Sequence, residues 1–281
     1  MKKYSAYVQQ EDLFISEVTV EEQLTFVARL RMPETTTEDE RKETVEKVIT
    51  SMGLGGCRFS RIGSTTDRCI SRSERKRLAF ASEIITDPSI LFCDEPTSGL
   101  DSFMALQVVA ALKILASKAK TVVTTIHQPS SQVFQMADRL ILMANGQVAY
   151  QGDADGVDKF FAQCSYPCPK FTNLPDHFMK VLSRDENTAE KEHNEKIKEI
   201  LDAFQSSEDG KNVHYVTHTY TTVSIRRRIK LNKSRRTGYH TSWFVQTWWL
   251  FMRSCRTQMR DPVVLRVRFI QVLVSFSPLI R

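Results

Sequence analysis

The spacing of apolar residues changes character along the chain, and the changes divide it into segments. Tyr4 to Val8 reads as a short strand. Thr19 followed by Glu22 forms a capping box, so Val20 to Leu30 is predicted to be a helix. Thr37 with Glu40 repeats the device. Behind it Val45, Val48, Ile49 and Met52 make one apolar stripe, and Gly53 supplies the stop. A third helix is expected from Glu74 to Thr86, closed by Asp87-Pro88.

After Pro88 the pattern becomes that of an α/β sheet. Ser89 to Cys93 (SILFC) is a continuous apolar run, as expected of a strand buried on both faces. A helix from Ser102 to about Ser117 leads to a second such strand, Thr121 to Ile126 (TVVTTI). Arg139 to Ala144 and Gln147 to Tyr150 flank Asn145-Gly146, a strong two-residue hairpin signal. Strand, helix, strand, helix and hairpin predict a sheet with parallel crossovers.

From Ser183 to about His240 the residues turn polar and charged, which reads as a partly helical linker. Trp243 to Met259 is aromatic and amphipathic, and Pro262 breaks it. Phe269 to Ile280 is apolar but shorter than the roughly 20 residues that span a bilayer.

Apolar residues make up 41% of the 281 and charged residues 26%, the proportions of a globular protein. The net charge of +6 is local. Seven basic residues lie between Arg226 and Arg236 with no acidic residue among them, and the remainder is close to neutral. General nucleic-acid binding is therefore not indicated; the cluster reads either as a solvated linker or as a cytoplasmic juxtamembrane patch. Six cysteines without metal-ligand spacing read as free thiols, and no signal peptide is evident at Met1.

The chemistry concentrates in Ile90-Leu91-Phe92-Cys93-Asp94-Glu95, followed by Pro96-Thr97-Ser98-Gly99-Leu100-Asp101-Ser102. A hydrophobic strand that ends in two adjacent carboxylates suits nucleotide hydrolysis. The first can place Mg²⁺, and the second can orient or deprotonate the attacking water. His127, at the end of the second strand, would lie on the edge where α/β sheets bind ligands.

On these motifs the chain resembles the ATPase domain of ABC transporters, specifically the White/Scarlet-type G subfamily of half-transporters. Glu74-Arg75-Lys76-Arg77-Leu78, Ile126-His127-Gln128-Pro129-Ser130-Ser131 and Asn173-Leu174-Pro175-Asp176-His177 favour that subfamily. The resemblance implies an ABC-type P-loop ATPase fold with a RecA-like parallel core and a helical signature subdomain over residues 1–182. A charged linker (183–240), an amphipathic connecting helix (241–262) and the start of a transmembrane helix (263–281) would follow. It assigns Glu95 as the catalytic carboxylate and His127 as the switch histidine. Asp94 and Gln10 would hold Mg²⁺, and Gln10 would couple the site to the membrane domain. Ser71, Ser73 and Asp101 would join Gln10 and Asp94 around ATP. Trp243, Trp248 and Trp249 would lie at the membrane interface, with the ATPase domain cytoplasmic. The implied partners are a second half-transporter and an exported small or lipophilic molecule, with no nucleic acid.

Two departures stand against that pattern. No Gly-x-x-x-x-Gly-Lys-Ser/Thr occurs, the loop that cradles nucleotide phosphates. The family places it upstream of Gln10, so a chain truncated at its start, and inactive by itself, is expected. The signature loop, Ser-Gly-Gly-Glu in the family, reads Ser71-Arg72-Ser73-Glu74. A weakened signature half-site is expected, because Arg72 fills space where backbone should approach phosphate. The competing readings are a non-catalytic partner subunit and a soluble ABC ATPase acting on DNA or ribosomes. The tryptophan-rich helix and the apolar run after it oppose the second of these.

Overall fold

A computed structural model describes residues 4–11, 13–63, 69–184, 190–213, 215–216, 241–261 and a few between 264 and 271. The described residues form two compact units, one of 1–127 with 238–281 and one of 128–237.

In the first unit, β1 (Ser5–Val8), β2 (Ile90–Cys93) and β3 (Thr121–Thr124) form a parallel sheet in that order. The register aligns Tyr7, Phe92 and Val123 across the three strands. The predicted helices appear as α1 (Val20–Arg31), α2 (Glu38–Ser51), α3 (Arg72–Ile84) and α4 (Ser102–Ser117). Both expected capping boxes are made: Thr19 and Thr37 each accept an amide hydrogen bond from the glutamate three residues on, whose carboxylate accepts in return. A third box, Ser71 with Glu74, starts α3 two residues earlier than the sequence suggests. Gly53 ends α2 at φ +62°, a conformation a side chain would strain.

One face of the sheet lies within the main core. Ala6, Val8, Leu91 and Cys93 are buried there with Leu24, Ile49, Leu78, Phe80, Val108 and Leu112 from the helices. The other face is open, with Tyr7 54%, Phe92 39% and Val123 42% exposed. This corrects the expectation that the second and third strands are covered on both sides: only alternate residues of β2 are buried, and none of β3. A continuous apolar run is compatible with either arrangement.

The long helix α9 (Trp243–Arg260) also belongs to this unit, yet none of its residues is buried. Charge holds it to α1. Arg260 forms a two-pronged ion pair with Glu22 (2.6 and 2.9 Å), and Arg253 stacks over Phe26 with its guanidinium 4.3 Å from the ring centroid. Arg29 of α1 sits 4.7 Å from the centroid of Trp249. Trp249 is thus engaged by α1, whereas Trp243 and Trp248 face outward, 69% and 58% exposed. No helix among the described residues is long and apolar enough to cross a membrane. The basic cluster from Arg226 to Arg236 and most of the run from Phe269 to Ile280 lie outside the described residues.

The second unit is built on the hairpin of β4 (Arg139–Ala144) and β5 (Gln147–Asp153). Asn145 (φ +47°) and Gly146 (φ +76°) take up the left-handed conformations that a two-residue hairpin turn requires. Helices α5 (Ser131–Phe134), α6 (Val157–Gln163), α7 (Leu174–Leu182) and α8 (Glu190–Ser206) complete it. Its core is aromatic, with Phe161 stacked on Phe178 at 4.7 Å and Phe160 edge-on to Phe204. Helix α8 falls within the segment read as a linker. In keeping with the partly helical reading it is a helix, and it buries His193, Ile197, Ile200, Leu201 and Phe204 along one stripe.

Candidate active site

The carboxyl ends of the three parallel strands bring Gln10, Asp94 and Glu95 together. Gln10 follows β1, Asp94 directly follows β2 and Thr125 directly follows β3. The sheet ladder continues into the site, since Asp94 donates its amide to Val8 and Thr125 donates its own to Cys93. The backbone thereby sets the heights of Asp94 and Thr125 before any side chain acts.

Asp94 is held from both sides. Tyr7 donates its hydroxyl to Oδ2 at 2.8 Å, and Thr125 donates to Oδ1 at 2.9 Å. These bonds, Tyr7 first and Thr125 second, hold the Asp94 carboxyl below the ordinary aspartate range. The same contact pushes the Tyr7 phenol above its ordinary value, because its ionisation would face the Asp94 anion. Asp94 is therefore a fixed anion at neutral pH.

Glu95 is positioned through the same threonine. Its backbone N–H donates to Thr125 Oγ1 at 2.9 Å, so one hydroxyl links both members of the carboxylate pair. Gln10 donates Nε2 to Glu95 Oε2 at 2.7 Å. Glu95 also has φ +40°, an uncommon conformation for a residue with a side chain, which costs about 1–3 kcal/mol and concentrates at functional sites. Behind the pair, burial pushes the Cys93 thiol up to about 12.

The other expected site residues have different surroundings. His127 is exposed beyond the end of β3, and the side-chain bonds of Asp94 and Glu95 run to Tyr7, Thr125 and Gln10 and not to it. Ser71 caps α3, accepting from the Glu74 amide and donating to its Oε2 at 2.8 Å. Burial favours the neutral form of Glu74, but the Ser71 amide and hydroxyl bonds prevail and hold its pKa below the ordinary value. Ser73 is buried in the first turn, 3.3 Å from the Ser71 hydroxyl. Asp101 caps α4 by accepting from the Met104 amide at 2.8 Å. No hydrogen bond joins Ser71, Ser73 or Asp101 to Gln10, Asp94 or Glu95 among the described residues.

The donor set fits a hard divalent cation. Asp94, Gln10 and Thr125 offer oxygen, and Mg²⁺ commonly takes only one or two protein ligands beside water and phosphate oxygens. Among the described residues, no group of three or more His, Cys, Asp and Glu side chains could hold a metal without such help. Tyr7 and Thr125 escaped the motif reading because they act across 87 and 31 residues of chain. Their signal appears only once the carboxyl ends of the strands are aligned.

Comparisons with known proteins give the family. Residues 1–98 match the ABC transporter family and residues 127–274 match the ABC-2 type transporter family. The chain is 41% identical, over 98% of its own length, to the ABC transporter ATP-binding protein/permease wht-1 of Caenorhabditis elegans. It is 39% identical to protein white and 36% identical to protein scarlet of Drosophila melanogaster, each over 96% of its length. The chain spans 42%, 39% and 41% of those three relatives. It belongs to the ABC transporters, in the White/Scarlet-type G subfamily.

Proposed function

We propose that this chain is the ATP-hydrolysing part of a half-transporter that drives export of a small or lipophilic molecule across a membrane. The observation that carries the reading is the Asp94–Glu95 pair at the carboxyl edge of the sheet, with both carboxylates oriented by neighbouring strands. Asp94, kept ionised by Tyr7 and Thr125, is suited to hold Mg²⁺ together with Gln10. Glu95 is the general base, and Gln10 fixes its Oε2. His127, exposed on the same edge, contacts the transferred phosphoryl group. Bound Mg²⁺ would supply charge neutralisation for the phosphates.

Ser71, Ser73 and Asp101 belong to the half-site that this chain offers to a partner's ATP, so function requires a second half-transporter. The outward indoles of Trp243 and Trp248 suit a membrane–water interface. The ATPase domain then faces the cytoplasm. A second reading, a subunit whose signature half-site is inactive, is favoured by the burial of Ser73 and the capping role of the Ser71 hydroxyl.

The test is ATP turnover by the complete transporter carrying Glu95→Gln. Loss of a positioned general base is worth about 10²–10⁴-fold. A fall in kcat of at least about 100-fold, with ATP still bound, is the expected result. Turnover at the wild-type rate would reject Glu95 as the base and leave the non-catalytic reading.

A further inference from the structure

We propose that Arg72 and Lys76 are positioning residues for Glu95, clamping to helix α3 the two loops that flank it. The inference rests on the hydrolytic reading above. Arg72 donates from its guanidinium to the Gly99 carbonyl at 2.9 Å. Lys76, buried one helical turn further on, donates to the Gln10 carbonyl at 2.5 Å. Residues four apart project from one face of a helix, so a single face grips both loops.

Each grip leads to Glu95 in one step. Gln10 itself donates to Glu95 Oε2. The loop ending in Gly99 begins at Glu95, whose carbonyl accepts from the Ser98 amide at 3.1 Å. Gly99 at φ +71° takes a conformation glycine adopts freely, whereas Glu95 has φ +40°, so the segment starts in a conformation that needs support from its surroundings. Hydrogen bonds from charged donors are among the stronger means of giving it.

This changes the meaning of the departure from the Ser-Gly-Gly-Glu pattern. The residue in place of the first glycine reaches a backbone carbonyl that no glycine side chain could reach. Arg72 does more than occupy space: it ties the signature helix to the loop that follows the carboxylate pair.

The test uses the complete transporter with Arg72→Ala and Arg72→Lys, read by ATP turnover and by amide hydrogen exchange without nucleotide. For Arg72→Ala, kcat is expected to fall about five- to tenfold with KM for ATP changed less than about twofold, the effect of one lost hydrogen bond. Exchange over residues 96–100 should rise by a similar factor while α4 stays protected. Arg72→Lys, which can still donate to the Gly99 carbonyl, should recover most of both effects. Unchanged exchange over 96–100, exchange that rises equally through α4, or faster turnover in Arg72→Ala would each overturn the proposal. The exchange result is independent of hydrolysis. It therefore judges the clamp even if Glu95→Gln shows that the hydrolytic reading is wrong.

Discussion

The two faces of the three-stranded sheet share the same backbone and do different work. On the closed face Ala6, Val8, Leu91 and Cys93 meet helices and define the fold. On the open face the row of Tyr7, Phe92 and Val123 leads to Asp94 and Thr125, and Tyr7 reaches along it to the carboxylate. Alternation in a strand places successive side chains on opposite faces, so packing and chemistry interleave residue by residue. The difference teaches that apolar character alone does not mark a structural residue here: Phe92 and Leu91 are neighbours with different duties.

Three measurements would break or sharpen this contrast. The largest effect should come from Leu91→Ala, which removes a fully buried side chain and should cost about 2–5 kcal/mol in urea unfolding. Phe92→Ala should cost about 1–2 kcal/mol, because the ring keeps 39% exposure. Equal costs for the two variants would abolish the distinction between the faces.

Next comes Thr125→Val, which keeps the shape but strips the Glu95 amide of its acceptor and Asp94 of a donor. Turnover should fall about tenfold with unfolding stability little changed, as one or two lost hydrogen bonds would give. A stability loss with turnover intact would move Thr125 from the chemistry to the packing.

The smallest effect concerns α9, which is held to α1 by charge whereas the closed face is held by apolar packing. Burial favours the neutral form of Glu22, but bonds from Arg260 and the Thr19 amide prevail and lower its pKa below the ordinary 4.5. A depressed carboxylate contributes fully above its ordinary pKa and loses that contribution as pH falls through the lowered value. Acid below pH 4.5 should therefore loosen α9, by about 1 kcal/mol or less for a part-exposed pair. Trp249 fluorescence should report it before the sheet unfolds, and Glu22→Gln should remove the transition.

What could be read from the sequence was local. Thr19 with Glu22, Thr37 with Glu40, and Asn145-Gly146 are signals complete within four residues, and each forms as expected. Asp94 and Glu95 stood out because their motif is contiguous, and the structure joins Glu95 to Gln10. Tyr7 and Thr125 depend on strand register, which a linear reading does not display. The segment of α8 reads as partly helical, but its charged outer face obscures the buried stripe, even though His193, Ile197, Ile200, Leu201 and Phe204 recur at helical spacing. The openness of one sheet face left no trace, since Ile90-Leu91-Phe92-Cys93 reads the same with or without a covering layer.

Cys93 has one more consequence. Its thiol is buried directly beneath the carboxylate pair and is held protonated by its surroundings, while Cys69 is exposed. Alkylation needs an accessible thiolate, so Cys93 reacts only during the moments when the central strand parts from its helices. Its labelling rate, set against the prompt reaction of Cys69, is an internal clock for how often the floor of the site opens.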